Sequence, residues 1–249
     1  MKSTQLRVFE DAKSVARAGA AALFDAIAKD VRVQGECHVV LTGGTVGIAV
    51  LQSFTSEDSV DWSSVHLWWG DERFVESDST DRNDSQAGDA LLNRIDIPQE
   101  NVHRIPSATD VESVEEAAHL YAGELEKYFG VDFPHFDVVL LGVGPDGHVA
   151  SLFPNMPGIS ERGLTVIPVL NSPKPPTERV SLTLPSLNSA RRVWLFAAGV
   201  EKATAVRDAL HDMQPNECPA AAIEGIEQTV MFADASAAAL GEKNVAPGE

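Results

Sequence analysis

The sequence predicts an α/β fold in which one mostly parallel, doubly wound (Rossmann-like) sheet carries helices on both faces. Short apolar segments alternate with longer amphipathic ones, and glycines follow most of the short segments. The chain has no internal repeat and no linker long enough to separate two domains. We therefore expect a single domain over residues 1–249, a length that buries about 70% of the surface of the unfolded chain.

The apolar pattern defines the predicted elements. Residues 11–32 place apolar side chains at helical spacing between charged ones, which predicts an amphipathic helix. Strands are predicted at residues 37–41, 65–69, 137–141, 180–184 and 192–198. Further helices are predicted at residues 46–54, 83–94, 113–129 and, in the alanine-rich tail, 233–240. Ser113 and Glu116 have capping-box spacing, and Gly130 is placed to end that helix.

The charge balance restricts the possible partners. The chain carries 19 Lys and Arg against 37 Asp and Glu, which gives a formal charge of −18. Nucleic acids and anionic membranes are bound through clustered cations, so neither is expected as a partner. A small anion remains possible, because a few placed cations and backbone N–H groups can hold one phosphate.

The cysteines and the N-terminal segment predict a cytoplasmic protein. Cys37 and Cys218 lie too far apart for a Cys-x-x-Cys redox pair and fit no zinc-ligand cluster. No pair of histidines has the spacing of a zinc site, so no metal is expected. The first ten residues contain no export signal, and no apolar run reaches the roughly 18 residues of a membrane span.

The first candidate loop is Thr42-Gly43-Gly44-Thr45, which follows a predicted strand. It lacks the Gly-x-Gly-x-x-Gly pattern of dinucleotide sites and the Gly-Lys-Ser/Thr ending of an NTPase loop. Its glycines let the backbone approach a ligand, and the N–H groups of the next helix would face an anion. A tight turn with no ligand is the alternative.

The second candidate loop, residues 70–73, places Asp71 and Arg73 at the end of another predicted strand. The carboxylate could orient a substrate hydroxyl, and the guanidinium could hold an anion or a carbonyl oxygen. A solvated surface ion pair is the alternative.

The third candidate loop gives the most specific prediction. Gly142, Gly144 and Gly147 surround Asp146 and His148 directly after an apolar strand. Histidine is the usual general base near neutral pH, and the aspartate could fix its tautomer or bind substrate. No Gly-x-Ser-x-Gly elbow is present, and neither cysteine lies in a nucleophile motif. A hydrolase with this sequence would therefore activate water.

Two cations complete the set of candidate residues. Lys202 lies in the first turn of a predicted helix, where a lysine opposes the helix dipole and is better explained by a bound anion. Arg179 follows a proline-rich loop. With the Gly-Gly-Thr loop, these cations predict a phosphate pocket.

Five segments carry a resemblance to a known family. They are Leu-Thr-Gly-Gly-Thr at 41–45, Trp-Gly-Asp-Glu-Arg-Phe-Val at 69–75, the block at 142–154 that ends in Ser-Leu-Phe-Pro, and residues 179–187 and 198–203. In order and spacing they are similar to the 6-phosphogluconolactonase family, which lies in a larger group with glucosamine-6-phosphate deaminase. The resemblance spans about residues 41–203, and the block at 142–154 is its most specific part.

The resemblance implies hydrolysis of 6-phospho-D-glucono-1,5-lactone to 6-phosphogluconate, in the oxidative pentose phosphate pathway, without metal or cofactor. It implies that His148 is the general base, that Asp71 holds hydroxyls or water, and that Arg73 is a candidate oxyanion donor. The residues expected to bind the substrate or its phosphate are Thr42, Gly43, Gly44, Thr45, Asp146, Gly147, Arg179 and Lys202. The expected partner is a small sugar-phosphate lactone, and the expected assembly is a monomer or a small homo-oligomer.

A lactonase that acts on a different phosphorylated sugar, a deaminase and a sugar-phosphate sensor remain as alternatives. The related deaminases carry a carboxylate five residues after the histidine, where this chain has Phe153, and an aromatic residue where it has Arg73. Both differences favour lactone hydrolysis over isomerisation and deamination. A non-enzymatic sugar-phosphate sensor would usually carry a DNA-binding module, for which this chain has no basic helix-turn-helix segment.

Overall fold

The computed structural model describes residues 4–54, 60–130, 132–211 and 213–241. The strands are β1 (Gln5–Phe9), β2 (Cys37–Leu41), β3 (Val65–Trp69), β4 (Asp71–Arg73), β5 (Val138–Gly142), β6 (Val166–Val169), β7 (Arg179–Leu182), β8 (Arg192–Ala197) and β9 (Gln228–Asp234). The α-helices are α1 (Ala12–Gln34), α2 (Gly44–Gln52), α3 (Asn83–Ala90), α4 (Val114–Phe129), α5 (Leu184–Asn188), α6 (Ala203–Leu210) and α7 (Ala235–Ala238).

The main sheet confirms the predicted fold class. Its six strands lie in the order β1-β9-β8-β5-β2-β3, and all neighbours are parallel. From β2 the chain moves outward to β3, and the next strand of this sheet, β5, lies on the other side of β2. The strand order therefore reverses between β2 and β5, and ligands of doubly wound folds bind at such a reversal. Strands β1 and β9 were not predicted; β1 is a five-residue edge strand whose side chains are exposed or only half-buried.

Helices cover both faces of the main sheet. Side chains of β2 alternate between the two faces, as in any strand. Cys37 faces α1, where its Sγ lies 4.0 Å from Asp30. His38 points to the opposite face, where its ring centroid lies 4.9 Å from that of Phe129 in α4.

A second, antiparallel sheet of three strands, in the order β4-β7-β6, corrects one prediction. The segment predicted as the second candidate loop is strand β4, which the sequence concealed because Asp-Glu-Arg is a poor strand sequence. Gly70 joins the two sheets: its N–H donates to Leu41 O at 3.1 Å, and its C=O accepts from Leu182 N at 2.8 Å. Alternation along β4 places Asp71 and Arg73 on one side of the strand and Glu72 on the other.

The helix ends follow the predicted signals with local differences. Ser113 Oγ accepts from Glu116 N at 3.2 Å, whereas the Glu116 carboxylate reaches Glu112 N rather than the Ser113 N–H that a capping box requires. Gly130 ends α4 as predicted, with a φ of 79°. The helix predicted to continue to residue 94 ends at Ala90, and the tail helix is shortened because its first residues belong to β9.

Three histidines stack near the amino ends of β2 and β3. His66 Nδ1 lies 3.0 Å from His103 Nε2, and His103 Nδ1 lies 3.1 Å from Glu124 Oε1. Trp68 Nε1 donates to His38 Nδ1 at 3.1 Å. Burial lowers the pKa of all three histidines, that of His103 to about 4. Burial therefore favours the neutral form of all three rings.

One set of possible metal ligands occurs at the same place. Atoms of Glu36, His38 and His66 lie within 4.8 Å of one another, a proximity that sequence spacing did not reveal. The bond from Trp68 occupies the lone pair of His38 Nδ1, so the ring proton lies on Nε2, which faces Glu36 Oε1 at 3.6 Å. A protonated Nε2 has no lone pair for a metal.

We expect the histidine stack to make folding sensitive to acid. The lowered pKa values mean that the unfolded chain binds more protons than the folded chain below about pH 6.5, so stability is lost as pH falls from there towards 4. His103→Gln should reduce the loss of unfolding free energy between pH 7 and pH 4.5 by about 2 kcal/mol. Urea unfolding at both pH values measures this, with exposed His119→Gln as the control. Equal losses in both variants would contradict the expectation.

Candidate active site

A cavity of about 490 Å³ lies at the carboxyl ends of β2, β5 and β8. Most of the residues predicted to form the site line it: Thr42, Gly43, Gly44, Thr45, Asp71, Arg73, His148, Arg179 and Lys202. A wider groove of about 900 Å³ beside α3 is lined by four aspartates and two arginines, a balance that disfavours phosphate. The cavity at the strand ends is therefore the candidate active site.

His148 and Asp146 form a hydrogen-bonded pair at the end of β5. His148 Nδ1 contacts Asp146 Oδ1, which leaves Nε2 as the ring nitrogen available to a ligand. Partial burial opposes ionisation of Asp146, but the hydrogen bond and charge of His148, with the charge of Lys174, hold its pKa well below the usual range. Asp146 is thus an ionised acceptor that fixes the histidine ring. It does not itself line the cavity.

Glycines shape the loop around this pair. The Gly144 N–H donates to His148 O at 2.9 Å, and the ring folds back over Gly144. A Cβ added at Gly144 would lie 1.9 Å from His148 Nδ1, so no larger residue fits. Gly147 was predicted to bind substrate, but the structure places it against Cys218, whose Sγ would lie 2.7 Å from a Cβ at position 147. It does not line the cavity, and it packs behind the loop.

The glycine loop after β2 opens helix α2 towards the cavity. Gly43 is the N-cap and makes no side-chain capping bond, so the first N–H groups of α2 have no capping side chain. Gly44 has a φ of 79°, a conformation that favours glycine. Thr42 Oγ1 accepts from Gly142 N at 3.4 Å, which ties this loop to the end of β5. The loop therefore faces the cavity with the N–H groups at the start of α2.

Asp71 is not part of a surface ion pair. It is 6% exposed, and its Oδ2 accepts from Ser151 Oγ at 2.6 Å. Asn83, which was not predicted as a site residue, donates from Nδ2 to Asp71 O at 2.8 Å and packs against Gly43. Arg73 reaches the cavity wall and donates from Nη1 to Asp81 O.

Glu72 anchors this wall from behind. Its carboxylate is 1% exposed and accepts from the N–H groups of Asn83 at 2.7 Å and Asp84 at 2.9 Å. Burial raises the pKa of Glu72 to about 7, against the opposing charge of Arg82. The contacts fix the first turn of α3 to β4, and with it the position of Asn83.

The two predicted phosphate cations have different surroundings. Lys202 Nζ donates to Val143 O at 2.6 Å, and burial followed by the charge of Lys174 lowers its pKa. Arg179 is 5% exposed and donates to the carbonyls of Lys174, Pro175 and Pro176, so much of its guanidinium supports the proline-rich loop. Burial also lowers the pKa of Arg179. Of the two, Lys202 is less committed to backbone contacts.

Lys174 is the main cation that the sequence analysis missed. Its Nζ lies 3.3 Å from His148 Nδ1 and 3.5 Å from Asp146 Oδ1, and it lines the cavity. Ligand-binding residues were predicted at the carboxyl ends of the parallel strands. Lys174 was not predicted, because its loop follows no strand of the main sheet. The antiparallel pairing of β6 and β7 is what carries it to the site.

Phe153 separates the histidine from Arg179. Its ring is 1% exposed, its centroid lies 4.6 Å from that of His148, and the Arg179 guanidinium carbon lies 5.6 Å from the ring centre. An apolar ring therefore occupies the position at which the resemblance expects a carboxylate in deaminases.

Comparison with known proteins decides the family. Residues 10–232 match the family model described as glucosamine-6-phosphate isomerases/6-phosphogluconolactonase. The chain belongs to this family. It is 45% identical to a 6-phosphogluconolactonase of Streptomyces coelicolor, over 94% of this chain and 93% of that protein. It is 42% identical to a 6-phosphogluconolactonase of Mycobacterium leprae, over 95% of this chain and 98% of that protein.

Solved structures of the glucosamine-6-phosphate isomerase/6-phosphogluconolactonase family have the same fold. A 6-phosphogluconolactonase from Thermotoga maritima superposes with a TM-score of 0.82 at 29% identity, covering 93% of this chain and all of that one. The 6-phosphogluconolactonase from Trypanosoma brucei superposes with a TM-score of 0.84 at 26% identity, covering 96% of this chain and 99% of that one. Among the described residues of this family member, no helix combines the length and apolar character that crossing a bilayer requires.

Gly144→Ala tests how closely the site is packed around His148. The added methyl group would displace the imidazole from Asp146, so we expect turnover to fall about 100-fold or more without loss of the fold. Steady-state rates and thermal unfolding measure the two effects. Gly123→Ala on α4 is the matched control, because a Cβ there meets nothing within 4 Å. Turnover within threefold of wild type would contradict the geometry of the loop.

Proposed function

We propose that this protein hydrolyses 6-phospho-D-glucono-1,5-lactone to 6-phospho-D-gluconate, as a carboxylic ester hydrolase of the oxidative pentose phosphate pathway. The observation that carries the proposal is the pairing of His148 with the ionised Asp146 at a cavity whose other walls supply cations and helix N–H groups. The names of the relatives at 45% and 42% identity support the same reaction. We also expect a cytoplasmic location and a monomer or small homo-oligomer.

In the proposed mechanism His148 activates water. Asp146 holds Nδ1, so Nε2 accepts a proton from the water that attacks the lactone carbonyl. General-base assistance of this kind contributes about 10²–10⁴-fold. The imidazolium then returns the proton to the ring oxygen as the bond from the carbonyl carbon to that oxygen breaks. The steps use only water and side chains.

The developing oxyanion needs donors in the same cavity. Arg73 and the backbone N–H groups of the glycine loops are candidate donors. Asp71, oriented by Ser151, is placed to accept from substrate hydroxyls or to position the water.

The 6-phosphate binds at the N-terminus of α2. Gly43, Gly44 and Thr45 offer backbone N–H groups there, and Lys202 adds a charge from the end of β8. Two partly separate regions thus hold the two ends of the substrate. The cation and N–H groups of this region allow a chain of charge −18 to accept an anionic substrate.

The decisive experiment follows freshly generated lactone with and without the protein, beside an assay for ammonia release from glucosamine 6-phosphate. We expect faster lactone decay and no ammonia, because Phe153 leaves the deaminase carboxylate position apolar. His148→Asn should retain the contact with Asp146 but lower turnover about 10²–10⁴-fold. Product affinity should change little.

One set of results would contradict the proposed reaction, and another would contradict the proposed role of His148. Ammonia release without faster lactone decay would transfer the protein to the deaminase branch, and inactivity in both assays would favour a sensor. A His148→Asn variant that keeps more than about a tenth of wild-type turnover would remove the histidine from the role of base.

Lys202→Met tests the phosphate site. Loss of one charge-assisted hydrogen bond should weaken binding of 6-phosphogluconate about 10- to 100-fold, with a smaller effect on kcat. Calorimetric titration with the product measures the affinity. Lys127→Met is the control, because Lys127 lies exposed on α4 and does not line the cavity. Equal affinities for both variants would place the phosphate elsewhere.

A further inference from the structure

Lys174 is held in place by its own backbone. It lies in the loop between β6 and β7, where its N–H donates to Ser172 Oγ at 3.3 Å and its C=O accepts from the same hydroxyl at 3.0 Å. Arg179 Nη2 donates to the same carbonyl at 3.1 Å. Ser172 and Arg179 are both buried, so the side chain starts from a fixed point.

The Lys174 ammonium and the His148 ring share one carboxylate oxygen. Asp146 Oδ1 contacts His148 Nδ1 and lies 3.5 Å from Lys174 Nζ, and the ammonium is 3.3 Å from the ring nitrogen itself. An aspartate alone would favour the imidazolium, which cannot accept a proton from water. The Lys174 ammonium opposes this effect in two ways. It repels positive charge on the ring, and it neutralises part of the negative charge of the carboxylate.

Other charged groups around the histidine do not replace this effect. Lys202 approaches from the end of β8 and is committed to Val143 O, and Arg179 acts across the ring of Phe153. The remaining charged groups that line the cavity are Asp71, Arg73, Glu201 and Asp234. Lys174 is the cation in direct contact with the ring of His148 among the described residues.

We propose that Lys174 is a positioning residue that keeps His148 unprotonated, and therefore able to act as a base, at lower pH than the Asp146 pair alone would allow. The same repulsion makes the imidazolium a better acid when the proton passes to the departing ring oxygen. The kinetic part of this inference depends on the proposed hydrolysis, whereas the effect on protonation does not.

Nuclear magnetic resonance of the full-length protein tests the protonation effect without substrate. The ring signals of the seven histidines are followed against pH, and His148 is assigned by its absence in His148→Asn. Lys174→Met should move the titration midpoint of His148 upward by about one pH unit, and Lys174→Arg should leave it near the wild-type value. An unchanged midpoint in Lys174→Met overturns the inference.

The pH dependence of kcat gives the second test. The acid limb of the profile should move upward with the midpoint in Lys174→Met, while the rate at high pH changes less and Lys174→Arg restores the profile. An equal loss of rate at every pH would overturn the inference, because a purely structural role predicts that result. If the midpoint moves but the wild-type protein does not hydrolyse the lactone, the inference stands and the proposed function fails.

Discussion

The arrangement of the site depends on Gly70, where the chain passes from the parallel sheet to the antiparallel one. Its N–H donates to Leu41 O of β2 in the parallel sheet. Its C=O accepts from Leu182 N of β7 in the antiparallel sheet. Because a single residue makes both bonds, the small sheet must lie over the carboxyl ends of β2 and β5. The small sheet therefore brings Asp71, Arg73 and the loop of Lys174 to the glycine loops of the main sheet.

The sequence was sufficient for four of the six strands of the main sheet, β2, β3, β5 and β8, and for most of the residues that line the cavity. Strands such as Cys37–Leu41 are uniformly apolar, and glycine loops at their ends must share one edge of a parallel sheet. The same reasoning failed for β4, whose three charged residues form a strand only because β7 supplies the partner. It failed for Lys174 and Asn83 because their positions depend on antiparallel pairing and on a buried carboxylate. Local pattern does not encode either contact.

The electrostatics of the cavity differ from those of the molecule as a whole. A strongly acidic chain repels anions at long range, so the positive groups that receive a phosphate must act at short range. Here two lysines and two arginines line a single cavity, and backbone carbonyls hold several of them in place. Such preorganisation limits the reorganisation that binding an anion would otherwise require.

The bond from Ser151 to Asp71 also bears on how the enzyme is made. It joins residues 80 positions apart, and the bond from Gly142 to Thr42 joins residues 100 apart. Contacts of such long sequence separation carry a large loop-closure entropy and form slowly. A chain still emerging from the ribosome can form its first strands and helices, but it cannot assemble this cavity. Catalytic competence therefore arrives only when nearly the whole chain has folded, which makes activity a sensitive reporter of complete folding.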